Sequence, residues 1–319
     1  MTTLFIDRRN SELSFDSDTL IFSEKETGAK IASVPIKLLE RICIHGSIYL
    51  SASLLGKLGD LGIGLLVLSG LHKKPTMLLP NQKLDAKRRI VQYQASVDAD
   101  FCNRQAKFWI AKKARLQLEF IAENSELAPS SSTPEIFSKI VSADNLETLR
   151  GLEGALAQQY FAVWQKILPP SLNFTGRNRR PPKDPFNVIL SLGYTLLHFE
   201  AVRHIHLLGL DPAIGFLHTL SHGRESLASD LIEGLRPQYD RFAYKLFRDK
   251  ILRIEHFSKK NDACLLGKAG RLAFYQEVQT FFDEIERPLR EDGQLLLKRM
   301  QTFFEADEND FKVDFLDWK

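Results

Sequence analysis

Residues 86–123 contain neither proline nor glycine and are rich in Ala, Gln, Lys, Arg and Leu. Nothing in that run breaks a helix, so it predicts one long helix or two end to end. The chain before it has the opposite texture. Between Leu4 and Leu68 the apolar residues come in short groups: Leu4-Phe5-Ile6, Leu13 and Phe15, Leu20-Ile21-Phe22, Ile31 and Val34, Ile42 to Ile44, Ile48 to Leu50, and Leu65 to Leu68. Turn formers such as Asp16-Ser17-Asp18, Thr27-Gly28 and His45-Gly46 separate them, a pattern that predicts short strands. Ser53 to Leu61 is the exception, because Leu54, Leu55, Leu58 and Leu61 fall on one side of a helix. Beyond residue 123, helical spacing returns over Leu146–Leu168, Phe186–Leu208, Pro212–His218, Ser226–Glu233, Pro237–Ile254, Lys268–Glu286 and Asp292–Glu305. Ala128–Thr133 and Gly176–Pro185 read as loops. The expected fold class is α+β, with a small β domain over residues 1–80 and a large all-α domain over 81–319, joined near Lys73 to Asp85.

Composition removes several classes. A chain of 319 residues suits two domains, and 44% hydrophobic with 26% charged residues fits neither disorder nor a fibrous repeat. The 43 basic and 40 acidic side chains leave a net charge of only +3, so a nucleic-acid site must come from local clustering. Cys43, Cys102 and Cys264 stand far apart with no CxxC spacing, which argues against a disulfide framework or a thiolate metal site. The most apolar window, Leu61 to Leu71, is shorter than the roughly 20 residues that span a bilayer, and Met1 to Asn10 shows no apolar secretory stretch. The expected compartment is the cytoplasm.

Three passages of the helical region hold polar groups that packing alone does not need. In Leu149-Arg150-Gly151-Leu152-Glu153-Gly154 a carboxylate sits between two glycines inside a good helix former. Each glycine costs a helix about 1 kcal/mol relative to alanine, which points to close approach of another backbone or a ligand. The plain alternative is a surface glutamate beside a tight helix crossing. Gly209 to His218 contains a helix-start signal, Asp211-Pro212, and closes on His218, either a hydrogen-bonded core residue or a ligand. In Gly223 to Pro237, Asp230 and Glu233 share a helix face that Leu227 and Leu231 hold against the core. Two acids on such a face repel unless a cation neutralises them, either a metal ion or Arg224 and Arg236 in a structural ion-pair network.

One imidazole with two or three carboxylates is a ligand set for a divalent ion. The oxygens suit Mg²⁺ or Mn²⁺ and the nitrogen tilts the choice towards Mn²⁺ over Mg²⁺, with zinc less favoured. A hard cation held by acids beside a basic surface is what phosphodiester chemistry requires. Arg177, Arg179, Arg180 and Lys183 crowd the proline-rich loop, which is the stronger candidate for holding phosphates. Lys87, Arg88, Arg89, Arg104, Lys107, Lys112, Lys113 and Arg115 read mostly as a solvated helix face.

In order, the motifs Leu-Arg-Gly-Leu-Glu153-Gly, Arg-Pro-Pro-x-Asp184-Pro-x-Asn187, Leu-Asp-Pro-Ala-Ile-Gly-Phe-Leu-His218 and Gly-Arg-x-Ser-Leu-x-x-Asp230-Leu-x-Glu233-x-x-Arg-Pro resemble the CRISPR-associated adaptation integrases, the Cas-one family. The likeness covers nearly the whole chain and is strongest from Leu149 to Pro237. It implies an N-terminal β-sandwich-like domain ending on Leu65-Leu66-Val67-Leu68, a helical catalytic domain, and a homodimer assembled largely through the β domains. By motif position it implies that Glu153, His218 and Glu233 bind Mg²⁺ or Mn²⁺, with Asp230 as a supporting acid; the expected DNA contacts are Arg177, Arg179, Arg180 and Lys183 of the basic loop, together with Arg224. Asn187 matches its motif without an assigned role, and Ser229, Gly234 and Leu235 depart from the bulkier or more acidic residues expected around the last acid. The implied activity is metal-dependent DNA integration and endonuclease cleavage, in which a 3′ hydroxyl of short foreign DNA attacks a phosphodiester at a CRISPR repeat. The implied partners are DNA and the small dimeric Cas-two protein. Two rivals remain, a non-catalytic DNA-binding scaffold and a metal-dependent hydrolase of another phosphoester.

Overall fold

The computed structural model describes residues 2–68, 75–80, 85–127, 133–179, 181–218 and 221–308. The loop expected over Ala128–Thr133 lies almost wholly outside the described residues, as do Arg180 and about half of the junction expected near Lys73 to Asp85. The fold is α+β. The chain divides into two compact units, and the first takes in Leu246–Ser258 and Leu265–Glu284 in addition to Met1–Lys83.

In the first unit the short apolar groups become strands β1 (Thr2–Ile6), β2 (Arg9–Asp16), β3 (Thr19–Glu24), β4 (Lys30–Pro35), β5 (Leu39–Ile44), β6 (Ser47–Leu50), β7 (Gly64–Val67) and β8 (Thr76–Leu78). They form two four-stranded sheets, ordered β1-β5-β7-β8 and β4-β3-β2-β6. The antiparallel pairs are the local ones: β2 and β3 place Leu13 opposite Phe22 and Phe15 opposite Leu20, with Asp16 and Thr19 closing the turn. In β2, Ser11 and Leu13 are buried while their neighbours are not, the two-residue period of a strand with one wet face. β1, β5 and β7 run parallel, with Leu4 beside Ile42 and Ile42 beside Leu65. Parallel strands are buried on both faces and read as unbroken apolar runs, which is why Ile42-Cys43-Ile44 does not alternate. One face of this sheet shares a core with the other sheet and with α1 (Ala52–Asp60), through Leu13, Leu20, Ile42, Ile44, Leu54, Leu58 and Leu65. The opposite face meets residues 271–282, where Phe5 stacks on Tyr275 at 4.3 Å and the Thr3 amide donates to Gln279 Oε1 at 2.8 Å.

In the second unit, residues 86–123 form two helices, α2 (Ala86–Val97) and α3 (Ala99–Glu123). Asp85 caps the first through the Arg88 amide and Asp98 the second through the Phe101 amide, so the break falls at a capping residue and not at a proline or glycine. α4 (Thr133–Ser142), α5 (Leu146–Ile167), α6 (Pro185–Leu207) and the short α7 (Ser226–Leu231) follow, then α8 (Arg236–Arg248). α6 starts on a capping Asp184 with Pro185 in the first turn and is buried on nearly every side. Trp164 of α5 stacks on Phe120 of α3 at 4.1 Å and lies 5.6 Å from Phe186 of α6. Where α8 crosses α6, a Cβ at Gly193 would fall 1.7 Å from the Tyr239 ring, so only glycine allows this approach.

Three expectations fail here. Pro212–His218 is an irregular turn and not a helix, because the amides of residues 216–218 donate to a side chain, Asp230, and not to carbonyls four residues back. The two C-terminal helices are one, α9 (Lys268–Glu308), which passes through Pro288. An interior proline costs a helix about 3 kcal/mol, offset here by a buried apolar stripe that continues across it through Phe281, Ile285 and Leu289. The helical region also contains a hairpin, β9 (Phe257–Lys260) and β10 (Ala263–Leu266), turned by Asn261 at φ 54°. Among the described residues no helix is long and apolar enough to cross a membrane.

Candidate active site

The three motif passages converge within the second unit, and Asp230 organises the convergence. Its side chain on α7 is fully buried. One oxygen accepts the Phe216 and Leu217 amides at 2.7 and 2.9 Å, and the other accepts the His218 amide at 3.0 Å. The same oxygen meets His218 Nδ1 at 2.5 Å. Because Asp230 accepts throughout, Nδ1 is the donor in this contact, and Nε2 is the ring nitrogen turned towards Glu233. Nε2 lies 3.7 Å from Glu233 Oε1. The absence of a side chain at Gly215 makes room for this, since a Cβ there would stand 2.7 Å from Asp230 Oδ2. Arg150, one turn before Glu153 on α5, donates to the Leu217 carbonyl and ties the histidine turn to the helix that carries the glutamate.

Of the cations that make this cluster stable, the sequence offered Arg236 and missed Lys113. Lys113 of α3 donates to Glu233 Oε2 at 2.9 Å and also to Glu153 Oε1, and Arg236, the first residue of α8, reaches Glu233 Oε1 at 3.0 Å. Burial alone would push the Glu233 carboxyl up, but Arg236, Lys113 and His218 outweigh it and bring it down to about 2. Burial likewise pulls the Lys113 ammonium down, and its two acidic partners more than reverse that. An unpaired buried charge costs several kcal/mol, and here two cations face three carboxylates, Glu153, Asp230 and Glu233. Periodicity could have found Lys113: it lies on the buried face of α3 with Ala106, Trp109, Ile110 and Gln117, and not on the exposed side.

The donor chemistry fits a hard divalent ion. Ligand atoms each about 2.1 Å from one ion stand about 3–4 Å apart, so His218 Nε2 and Glu233 Oε1 at 3.7 Å can share one. Glu153 joins them only through Lys113, and no group of three His, Cys, Asp or Glu among the described residues makes a closed coordination cluster. Gly151 and Gly154 do not mark a tight helix crossing, because a Cβ at either meets nothing within 4 Å among the described residues. Among the described residues, the surface beside Glu153 is open on the side of Gly151 and Gly154.

The proline-rich loop divides into an internal half and an exposed half. Arg177 turns inward and donates to Asn187 Oδ1 at 2.7 Å and to Ser191 Oγ at 3.3 Å. Asn187 is fully buried and is the hub of the loop, also accepting the Asn178 amide at 3.1 Å and donating to the Gly176 carbonyl at 2.8 Å and to Asp184 Oδ2 at 2.6 Å. Arg179, Lys183 and Arg224 are exposed, and Arg180 lies outside the described residues. Arg177 and Arg236 both lie against the Tyr194 ring, 5.4 and 5.3 Å from its centre, so the loop and the Glu233 partner share one aromatic support. Beneath it, Asp240 accepts the Tyr160 and Tyr194 hydroxyls, and burial pushes its carboxyl up to about 6 against those hydrogen bonds and the nearby Arg177 and Lys113.

Comparison with known proteins agrees with these motifs. Residues 4–280 match the family described as CRISPR associated protein Cas1. The chain is 40% identical over 287 residues to the CRISPR-associated endonuclease Cas1 1 of Thermodesulfovibrio yellowstonii, covering 86% of this chain and 89% of that one. A casposase bound to integration product has the same fold, with a TM-score of 0.80 and 22% identity over 94% of this chain and 91% of that one. So does a chain of a Cas6-RT-Cas1–Cas2 complex, with a TM-score of 0.77 and 22% identity over 94% of this chain and 35% of that longer one. With a family match over most of its length and a relative at this identity, the chain belongs to the Cas1 family of CRISPR-associated proteins.

Proposed function

We propose that this chain is a divalent-metal-dependent DNA integrase and endonuclease of CRISPR adaptation, inserting short foreign DNA into a CRISPR array by attack of a 3′ hydroxyl on a phosphodiester. The observation that carries the metal-centred reading is His218, whose Nδ1 is fixed by Asp230 and whose Nε2 faces the Glu233 carboxylate at 3.7 Å. Glu153, Glu233 and His218 Nε2 would hold Mg²⁺ or Mn²⁺, which would supply Lewis-acid stabilisation of charge developing on the phosphoryl oxygens. The chain's own residues do the rest. Asp230 fixes the imidazole tautomer and the turn that presents it. Arg236 and Lys113 keep Glu233 ionised, with its carboxyl at about 2. Arg179, Lys183 and Arg224, exposed on two loops, hold backbone phosphates, and Arg177 stiffens its loop from within.

The relative named as an endonuclease and the fold shared with a casposase on its integration product support DNA as the substrate. The fold shared with a Cas1–Cas2 complex supports a small Cas2 dimer as partner. A homodimer through the β units and action in the cytoplasm complete the reading, the latter in keeping with three buried free cysteines. A scaffold without catalysis is the second reading, favoured by one observation: Lys113 and Arg236 already neutralise Glu153 and Glu233. Strand transfer of a labelled short duplex into branched or repeat-bearing DNA separates the two. Joined products with Mn²⁺ that vanish with EDTA, His218→Ala or Glu233→Gln are expected of the integrase. DNA binding without joining or cutting under any metal, with Cas2 present, would replace it with the scaffold.

A further inference from the structure

The proposed chemistry gives Lys113 no ligand or substrate role, yet few positions in the unit are harder to place an ammonium. It sits on the face by which α3 anchors in the core, between buried Trp109, Ile110, Ala114 and Gln117, and is itself 7% exposed. A lysine ammonium is strongly hydrated and stays ionised at such a place only beside close anions. Its anions are the two acids of the proposed metal site, Glu233 Oε2 at 2.9 Å and Glu153 Oε1. The contrast with its neighbour is direct: Lys112 points to a different acid, Asp292, at 2.6 Å.

We infer that Lys113 is the built-in counter-ion of the metal site: it holds Glu153 and Glu233 together through one ammonium, and a divalent cation binds there in competition with it. The inference rests on the metal reading above. A divalent cation held by these carboxylates and His218 would share them with the ammonium and be repelled by it, which would weaken binding by the protein alone. Mg²⁺ sites of this kind are commonly completed by substrate phosphates, whose added negative charge restores affinity. Lys113 therefore keeps two like charges converged without a metal and makes metal uptake depend on DNA.

The test is Mn²⁺ titration of the full chain without DNA, followed by calorimetry and by the Mn²⁺-induced rise in Tm. Lys113→Met is expected to bind Mn²⁺ about tenfold more tightly than wild type and to show the larger Tm rise. Lys113→Arg, which keeps the charge, is expected to stay within about threefold of wild type, and Glu233→Gln to lose binding. Should Lys113→Met fail to fold, Lys113→Gln takes its place with the same expectation. Wild-type or weaker affinity in the uncharged variant, with binding still lost in Glu233→Gln, overturns the counter-ion and leaves the metal reading standing. If neither wild type nor the uncharged variant takes up Mn²⁺, or Glu233→Gln binds like wild type, the metal reading falls and the inference with it.

Discussion

The main core of the first unit is apolar, with buried Arg41 outside it on Thr3 and Glu40, whereas the second unit gathers its buried charges into one cluster. Around Ile42 and Leu54, neither with any exposed surface, the strands and α1 meet through aliphatic side chains, with Phe15 and Phe22 packed against them. Around Glu233 the second unit buries Lys113, Asp230 and Glu233, each with partners it cannot do without. Apolar packing has no direction, and volume-conserving swaps usually cost less than about 1.5 kcal/mol. Ionic burial has both direction and consequence: removing one partner strands the others, at about 3–5 kcal/mol. That apolar core is therefore tolerant, and the second unit tolerates little at the very place where chemistry is proposed.

The harshest way to break that contrast is Asp230→Ala. Three backbone amides and His218 Nδ1 lose their acceptor at once, so unfolding in urea should show a loss of about 4 kcal/mol together with loss of DNA joining. Asp230→Asn, which keeps one acceptor oxygen, should recover part of the stability. The matched change in the first unit, Ile42→Ala, removes apolar bulk only and should cost about 3 kcal/mol while leaving Mn²⁺ uptake at wild-type affinity. If it weakened Mn²⁺ uptake, the contrast would not hold.

Smaller and opposite in sign is the effect of Asp240. Burial raises its carboxyl from 3.8 to about 6, so the folded chain holds a proton there that the unfolded chain releases, and ionising it opposes folding. Its protonated form lends stability that is full below pH 3.8 and lost as pH rises through about 6, at most about 3 kcal/mol. Asp240→Asn should flatten the stability profile across that window, measured by denaturation at a series of pH values. An unchanged profile would show that the carboxyl is not raised. Smallest in stability is Arg179→Ala at an exposed loop position: folding should shift by less than about 0.5 kcal/mol, while the salt dependence of DNA binding should lose about one unit of slope.

The same contrast governs what could be read from the sequence. Strands of the first unit were legible because burial there follows a period: Leu13 and Phe15 lie on one β2 face and Ile42 to Ile44 run unbroken in a parallel strand. Glu153, His218, Asp230 and Glu233 were legible as residue types in motifs, and the structure brings them into one cluster. The relations among them were not legible. Asp230 had the chemistry of a possible ligand, but its partners are amides 12 to 14 residues away that no spacing rule pairs with it. Those amides are also why a helix-start signal at Asp211-Pro212 yields only a turn. Lys113 was lost among lysines of a basic helix, and Arg177 looked like a phosphate contact until its guanidinium was found on Asn187. The hairpin at 257–266 had a signal, Asn261-Asp262 between short apolar groups, masked by the helical texture on both sides.

The most direct test of the central claim is the nitrogen spin-echo modulation of Mn²⁺ bound to the full chain. A histidine nitrogen on the metal in wild type, gone in His218→Ala while Mn²⁺ still binds through the carboxylates, is the predicted result. Bound Mn²⁺ with no nitrogen coupling, or a coupling that survives His218→Ala, would place the metal elsewhere and contradict the site built on Glu153, His218 and Glu233.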